Sequence, residues 1–379
     1  MSYIESIIRQ EKKTNYAVCG DTCVSSRNEF STFFVLCDGV GSGVYANIAS
    51  ICCASRLKQL FECGVSVRQA CEMVADSMHA ARTGEIPFAA FSAVHVLNDG
   101  QFSIYTYESP GPFLVRDSQV SDLKPHYFNV GYEVLGETFG TLELGDSLIV
   151  CSDGVTQAGL GRRYPLGVGE ERIAQFMDVD WDNEKIGDRL QEVVEYSREL
   201  SGDRYADDTT IAALHYRPAR ELTIATGPPA MKSRDKVYVD TLMQSRGVKV
   251  VCGSTTSNIV ARVLDKEVEY IPAPAAFSRP PEYRIEGVDI VTEGAVMLNQ
   301  VYNILEEDPE LLTDGSVVEV LCHHMHNADV ITFLIGGALN DAHENLVFKQ
   351  MGVRPRAVTV RLIIEALRKM DKLVIVKQF

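Results

Sequence analysis

Four segments of the chain place aspartates beside turns or strand ends: Gly20-Asp21, Asp38-Gly39, Ser152-Asp153-Gly154 and Asp207-Asp208. Apolar runs of strand character flank them. YAVC leads to Gly20-Asp21, FFVLC to Asp38 and LIVCS to Asp153, and TTIAALHY follows Asp207-Asp208. In antiparallel neighbours the end of one strand lies beside the start of the next, so these acids can converge on one edge. Carboxylates gathered there repel unless a cation neutralises them. Hard divalent ions suit the task, because Mg2+ and Mn2+ prefer oxygen ligands and Mg2+ keeps several waters, one of which can act as nucleophile. Any single Asp-Gly pair reads first as a turn; the set together points to a metal centre.

Other chemistries fall away. None of the ten cysteines has Arg at the sixth following position, which excludes a thiol-based phosphatase, and there is no C-x-x-C pair. The cysteines sit in apolar runs such as ICCASRL and behave as small core residues of a reducing compartment. No Walker-type G-K-[ST] occurs. Gly39, Gly41 and Gly43 stand at the wrong spacing, and between the wrong elements, for a dinucleotide loop; they let the backbone turn tightly at a helix start. The net charge of −16 repels nucleic-acid phosphates and anionic headgroups. It serves solubility, and clustered metal-binding carboxylates add to it. No run of 18 apolar residues spans a bilayer, and the N-terminus MSYIESIIRQEKK lacks the features of a secretory signal. A cytoplasmic protein acting on neither membrane nor nucleic acid is expected.

The elements that must position the acids follow from periodicity. Up to residue 216 short apolar runs dominate: STFFVLC, FAAFSAVHVL, QFSIYTYES, GPFLVRD, DSLIVCSDG and TTIAALHY. Breaks such as Asn98-Asp99-Gly100 suit antiparallel hairpins. Two adjacent helices are expected, one with Tyr45, Ile48, Ala49, Cys52, Cys53, Leu57 and Leu60 on its apolar face, the next with Val67, Ala70, Val74, Met78 and Ala81. A third, Glu184 to Leu200, aligns Ile186, Leu190, Val193 and Val194. The fold class is α+β, an antiparallel β-sandwich flanked by helices. Near Tyr216 to Arg220 the pattern changes to strands ELTIAT, VKVVC, VDIVT, DVITFLI and KLVIV alternating with helices such as Ala295 to Leu305 and Thr359 to Lys369. Residues 1–218 are thus expected to form one domain and 219–379 a smaller α/β domain, with the Pro-rich stretch Ile271 to Glu282 a loop inside it.

Order and context of these motifs resemble the metal-dependent protein phosphatases of the 2C type, in particular the bacterial branch of the stage II sporulation phosphatase E. The resemblance covers residues 14 to 216. It rests on Gly20-Asp21, on Asp38-Gly39-Val40-Gly41-Ser42-Gly43 before a helix, on Ser152-Asp153-Gly154, and on Asp207-Asp208-Thr209-Thr210. Val40 and Thr209 stand where the family has Met; neither is a metal ligand. The resemblance implies two Mn2+ or Mg2+ ions bridged by Asp38, with the Gly39 carbonyl, Asp21, Asp153 and Asp207 completing their shells and Asp208 assisting. It implies hydrolysis of phosphoserine or phosphothreonine by a metal-activated water, with no covalent intermediate. By analogy the substrate is an anti-sigma-antagonist-type protein in bacterial partner switching, and the two helices after Gly43 regulate the metal site.

Two readings remain for the second half. Gly253-Ser254-Thr255-Thr256 follows a strand and opens a helix, which suits an anion or a small-molecule effector and equally an ordinary capped βα turn. Similar turns, Thr226-Gly227-Pro228, Glu293-Gly294 and Gly336 to Asp341, gather at the carboxyl edge if the strands are parallel. His323, His324 and His326, with His343 beyond, lack ligands at clear spacing and read as polar-core or solvated histidines. The alternatives to a phosphatase are a ligand-binding regulatory protein with a vestigial phosphatase domain, and a metabolic enzyme in the second half, for which no acid/base pair is visible.

Overall fold

The computed structural model describes residues 1–84, 86, 88–179, 181–271, 282–313, 315–338 and 352–379. Two compact units emerge, Met1–Pro218 and Ala219–Phe379.

In the first unit, β1 (Ser2–Glu11), β11 (Thr209–Pro218), β10 (Ser147–Cys151), β6 (Phe113–Arg116) and β7 (Gln119–Asp122) lie side by side in that order in one sheet. The second sheet runs β2 (Asp21–Arg27), β3 (Ser31–Gly39), β4 (Ala89–Leu97), β5 (Gln101–Tyr107), β9 (Glu133–Thr141) and β8 (His126–Val130). All pairings are antiparallel among the described residues. Strand alternation sorts the core into layers. Phe34 and Leu36 of β3 meet Val94, Ile104, Leu148, Val150, Ala212 and Leu214 between the sheets. Phe33, Val35 and Cys37 face α1 (Val44–Glu62) and α2 (Val67–Thr83) on one outer side. The helices α3 (Asp153–Thr156), α4 (Glu170–Asp178) and α5 (Ile186–Leu200) cover the other sheet. This four-layer arrangement is the expected α+β sandwich.

Some details differ from expectation. The face that α1 buries is Ala46, Ala49, Ser50, Cys53, Ala54 and Leu57, while Tyr45 is 74% and Ile48 52% exposed. Small residues win because the helix lies against backbone: a Cβ on Gly39 would stand 1.9 Å from the Ala46 carbonyl oxygen. Asp21 opens β2 instead of following a strand, and β1 is formed by the segment considered above only for signals.

The second unit holds one mixed sheet in the order β14 (Glu269–Ile271), β15 (Glu282–Arg284), β16 (Ile290–Thr292), β13 (Val248–Cys252), β12 (Glu221–Thr226), β17 (Val330–Ile335) and β18 (Leu373–Gln378). From β16 to β18 the pairs are parallel, and β14 and β15 add antiparallel strands at one edge. One face packs α6 (Asp235–Gln244) and α7 (Ser254–Leu264); the other packs α8 (Ala295–Ile304), α9 (Val317–Asn327) and α10 (Arg356–Lys369). This is a three-layer α/β unit. The loop expected at Ile271 to Glu282 and the turn residues 339–341 fall largely outside the described residues. Among the described residues no helix is long and apolar enough to cross a membrane.

Candidate metal centre

Pairing of β2 with β3 sets Asp21 directly opposite Asp38. Alternation gives Asp38 the face of Phe34 and Leu36, between the sheets, and gives Thr210 the face of Ala212 and Leu214. The acids therefore stand where the apolar row between the sheets ends. Asp153 is the first residue of α3, just after β10, and Asp207-Asp208 immediately precede β11, the neighbour of β10.

Hydroxyls and amides hold the cluster. Thr210 Oγ1 donates to Asp21 Oδ2 at 2.6 Å, and Gln10 Nε2 reaches Thr210 Oγ1 at 3.0 Å. Ser152 Oγ accepts from the Thr210 N–H at 2.9 Å. Gln157 Nε2 donates to Asp153 Oδ2 at 2.8 Å, and the carboxyls of Asp38 and Asp153 raise the proton affinity of the cluster by their proximity. Burial pushes Asp21 up to about 7, with the charges of Asp208 and Asp153 adding to it and the Thr210 and Ser152 hydrogen bonds opposing it. Asp38 is raised well above the carboxylate range by burial and then by Asp21, Asp153 and Asp207. Burial and then Asp207 raise Asp153, against the pull of Lys13.

A divalent cation fits this set. Asp21 Oδ1 is buried and takes no hydrogen bond, and among the described residues none of Asp21, Asp38 and Asp153 forms an ion pair. Such carboxylates ionise comfortably only beside positive charge. Lys13 supplies some at the rim, 3.3 Å from Asp207 Oδ1. Among the described residues no three His, Cys, Asp or Glu side chains are disposed around a single ion. An ion here would take few carboxylate oxygens, with water and a backbone carbonyl such as that of Gly39 filling its shell.

Asp208 is the acid whose oxygens are already engaged. Its Oδ1 accepts the Lys13 N–H at 2.9 Å, and a Cβ on Gly20 would stand 2.7 Å from Oδ2. It staples β11 to the end of β1 and to the turn before β2. Thr210, Ser152, Gln157 and Lys13 went unnoticed in the sequence reading. The first two lie in segments it quotes, Ser152-Asp153 and Asp208-Thr209-Thr210, and hydroxyls beside acids are a usable signal; Lys13 depends on pairing between strands almost 200 residues apart.

In the second unit Gly253, Ser254, Thr255 and Thr256 line a cavity of about 290 Å3 at the carboxyl edge of the sheet. His323, His324 and His326 lie on α9, and His326 is held below its ordinary value by burial and by Lys372. His343 lies outside the described residues.

Solved structures share the fold of the first unit. The PP2C phosphatase domain with a fragment of the regulatory domain of SpoIIE from Bacillus subtilis aligns with TM-score 0.50 and 18% identity, covering 57% of this chain and 64% of that one. The chain thus spans less than two thirds of that relative. The RsbU and RsbW domains of a Mycobacterium tuberculosis protein align at 0.48 and 19% over 63% and 68% of the two chains. A serine/threonine phosphatase, PstP, from the same organism aligns at 0.41 and 14% over 57% and 99%. No curated protein matches the chain. The family model of Stage II sporulation protein E, SpoIIE, matches residues 28–217, half of the chain, and by that match the chain belongs to the SpoIIE family.

Proposed function

We propose that residues 1–218 form a divalent-metal-dependent protein phosphatase acting on phosphoserine or phosphothreonine. The observation that carries this reading is the cross-strand pair Asp21 and Asp38, which repel one another beside Asp153, with Asp21 buried and one of its oxygens unpartnered. Asp21, Asp38, Asp153, Asp207 and the Gly39 carbonyl would hold two Mn2+ or Mg2+ ions. When bound, such ions supply a water activated for attack on phosphorus and neutralise charge on the phosphoryl oxygens. The chain's own residues position. Thr210 and Ser152 favour the ionised form of Asp21, Gln157 orients Asp153, and Lys13 keeps a positive charge beside Asp207. Burial raises the nearby Cys19, Cys23 and Cys151 thiols, so they stay protonated and are poor nucleophiles.

Family membership supports a phosphoprotein substrate in partner-switching signalling, of the anti-sigma-antagonist type. Hydrolysis of a phosphothreonine peptide, measured with Mn2+ and then with a chelator, tests the activity. Asp38→Asn and Asp153→Asn should each lower kcat by about 10²-fold or more, the scale of losing a main electrostatic group. Turnover that survives both substitutions overturns the reading.

A further inference from the structure

The cavity of the second unit is not used by the phosphatase reading. From β12 the chain builds outward through β13 to β16, then returns to the far side of β12 with β17. Strand order reverses there, and all the parallel strands end on one edge, where open α/β sheets take ligands. The cavity lies at this edge, with Cys252 at the end of β13, Gly227 after β12, Gly253 and Gly294 at the starts of α7 and α8, and Arg356 at the start of α10.

Three independent features give it a chemical character. First, α7 and α8 begin at Gly253 and Gly294 with no side-chain cap, leaving N–H donors at both starts. The two glycines meet closely enough that a Cβ on Gly294 would stand 3.4 Å from Gly253 Cα. Second, Thr226 Oγ1 is fully buried with no hydrogen-bond partner. Thr226 pairs in parallel register with Cys252, so both side chains point to one face, and Cys252 and the next residue, Gly227, line the cavity. Third, the Arg356 guanidinium lies across Gly227, where a Cβ would meet Nη1 at 1.6 Å, and Nη2 donates to the Gly336 carbonyl at 3.0 Å. Among the described residues no carboxylate pairs with Arg356, and burial holds it below its ordinary value. Two uncapped helix starts and an arginine with no carboxylate partner among the described residues complement a phosphoryl dianion, with the unpartnered Thr226 hydroxyl one residue behind the lining. Glu293 also lines the cavity and would accept hydrogen bonds from hydroxyl groups.

We propose that this cavity binds a phosphorylated, hydroxyl-bearing small molecule, a sugar phosphate or a nucleoside monophosphate, its phosphoryl group held by Arg356 and the starts of α7 and α8. The experiment is calorimetric titration of the full chain in chelator, carrying Asp38→Asn so that the first unit holds no phosphate through metal. Inorganic phosphate, ribose 5-phosphate and AMP are the probes, the last two separating the two ligand sources. Ribose 5-phosphate or AMP should bind one per chain, more tightly than phosphate, and Arg356→Gln and Gly294→Ala should each weaken the binding at least tenfold. A circular-dichroism melt checks folding, and Gly294→Ala, whose added methyl meets only ordinary contact, decides the matter if Arg356→Gln unfolds. Absence of binding by all three probes, or affinities unmoved by Gly294→Ala, overturns the proposal. Phosphate bound as tightly as the two esters overturns the role of the hydroxyls. None of these outcomes depends on whether the first unit is a phosphatase.

Discussion

Asp21 is pushed from an ordinary 3.8 to about 7, chiefly by burial, and Asp38 is raised alongside it. A carboxyl whose folded pKa lies above its unfolded value stabilises the fold at pH below the unfolded value, and that stability is lost as pH rises through the folded value. The metal-free protein should therefore lose stability between about pH 4 and pH 7, the opposite of a salt-bridged carboxylate. One pKa unit corresponds to ~1.4 kcal/mol, and one kcal/mol moves Tm by roughly 2–4 °C in a unit of this size. A fall in Tm of the order of 5–10 °C is expected between pH 5 and pH 8 in chelator. Adding Mn2+ should flatten it, and Asp38→Asn should lessen it by removing one of the two raised carboxyls while the buried Asp21 still titrates; a profile that rises with pH would show that the acids are not held as described. The types of these residues were legible because Asp beside a strand end is conspicuous. Their pairing was not. It depends on Asp21 opening β2, whereas the run YAVC before it suggested a strand ending there.

Among the elements, α1 shows how a helical period is read correctly and its face only in part: Ala49, Cys53 and Leu57 are buried as expected, while Tyr45 and Ile48 are exposed. Tyr45 and Ile48 dominate any hydrophobic count, yet the side against β3 is lined by Ala, Ser and Cys, which bring the helix close to Gly39. Leu57 is the large residue on that side and is fully buried. Leu57→Ala should cost about 2–5 kcal/mol in urea denaturation, whereas Ile48→Ala, half exposed, should stay within about 0.5 kcal/mol. Equal costs would mean that Ile48 is buried with Leu57, as first expected. The strands β3, β4, β10 and β11 were legible as apolar runs because they are covered on both sides. By contrast β7 and β8 expose alternate residues, and α4 has nine residues, so their periodic signal is short.

At the scale of the whole chain, Pro218 ends β11 and Glu221 begins β12, so only Ala219 and Arg220 stand between the last antiparallel strand and the first parallel one. The change from consecutive strands to strand-helix alternation was readable near these residues because parallel strands buried on both faces need intervening helices. Each unit has its own interior: among the described residues three apolar clusters lie before Pro218 and two after it. A chain of roughly 160–220 residues is long enough to bury a stable core unaided. Cut between Pro218 and Ala219, the chain should give two fragments that each melt in one cooperative transition, since no strand or cluster loses a member. The first fragment should show the proposed metal-dependent hydrolysis within about threefold of the full chain, because the acids of the cluster and the hydrogen-bond partners described for them lie within it. A first fragment that folds with native circular dichroism but hydrolyses nothing would show that residues after 218 complete the site, and a molten one would show that the clusters before Pro218 cannot hold the sandwich without the rest of the chain.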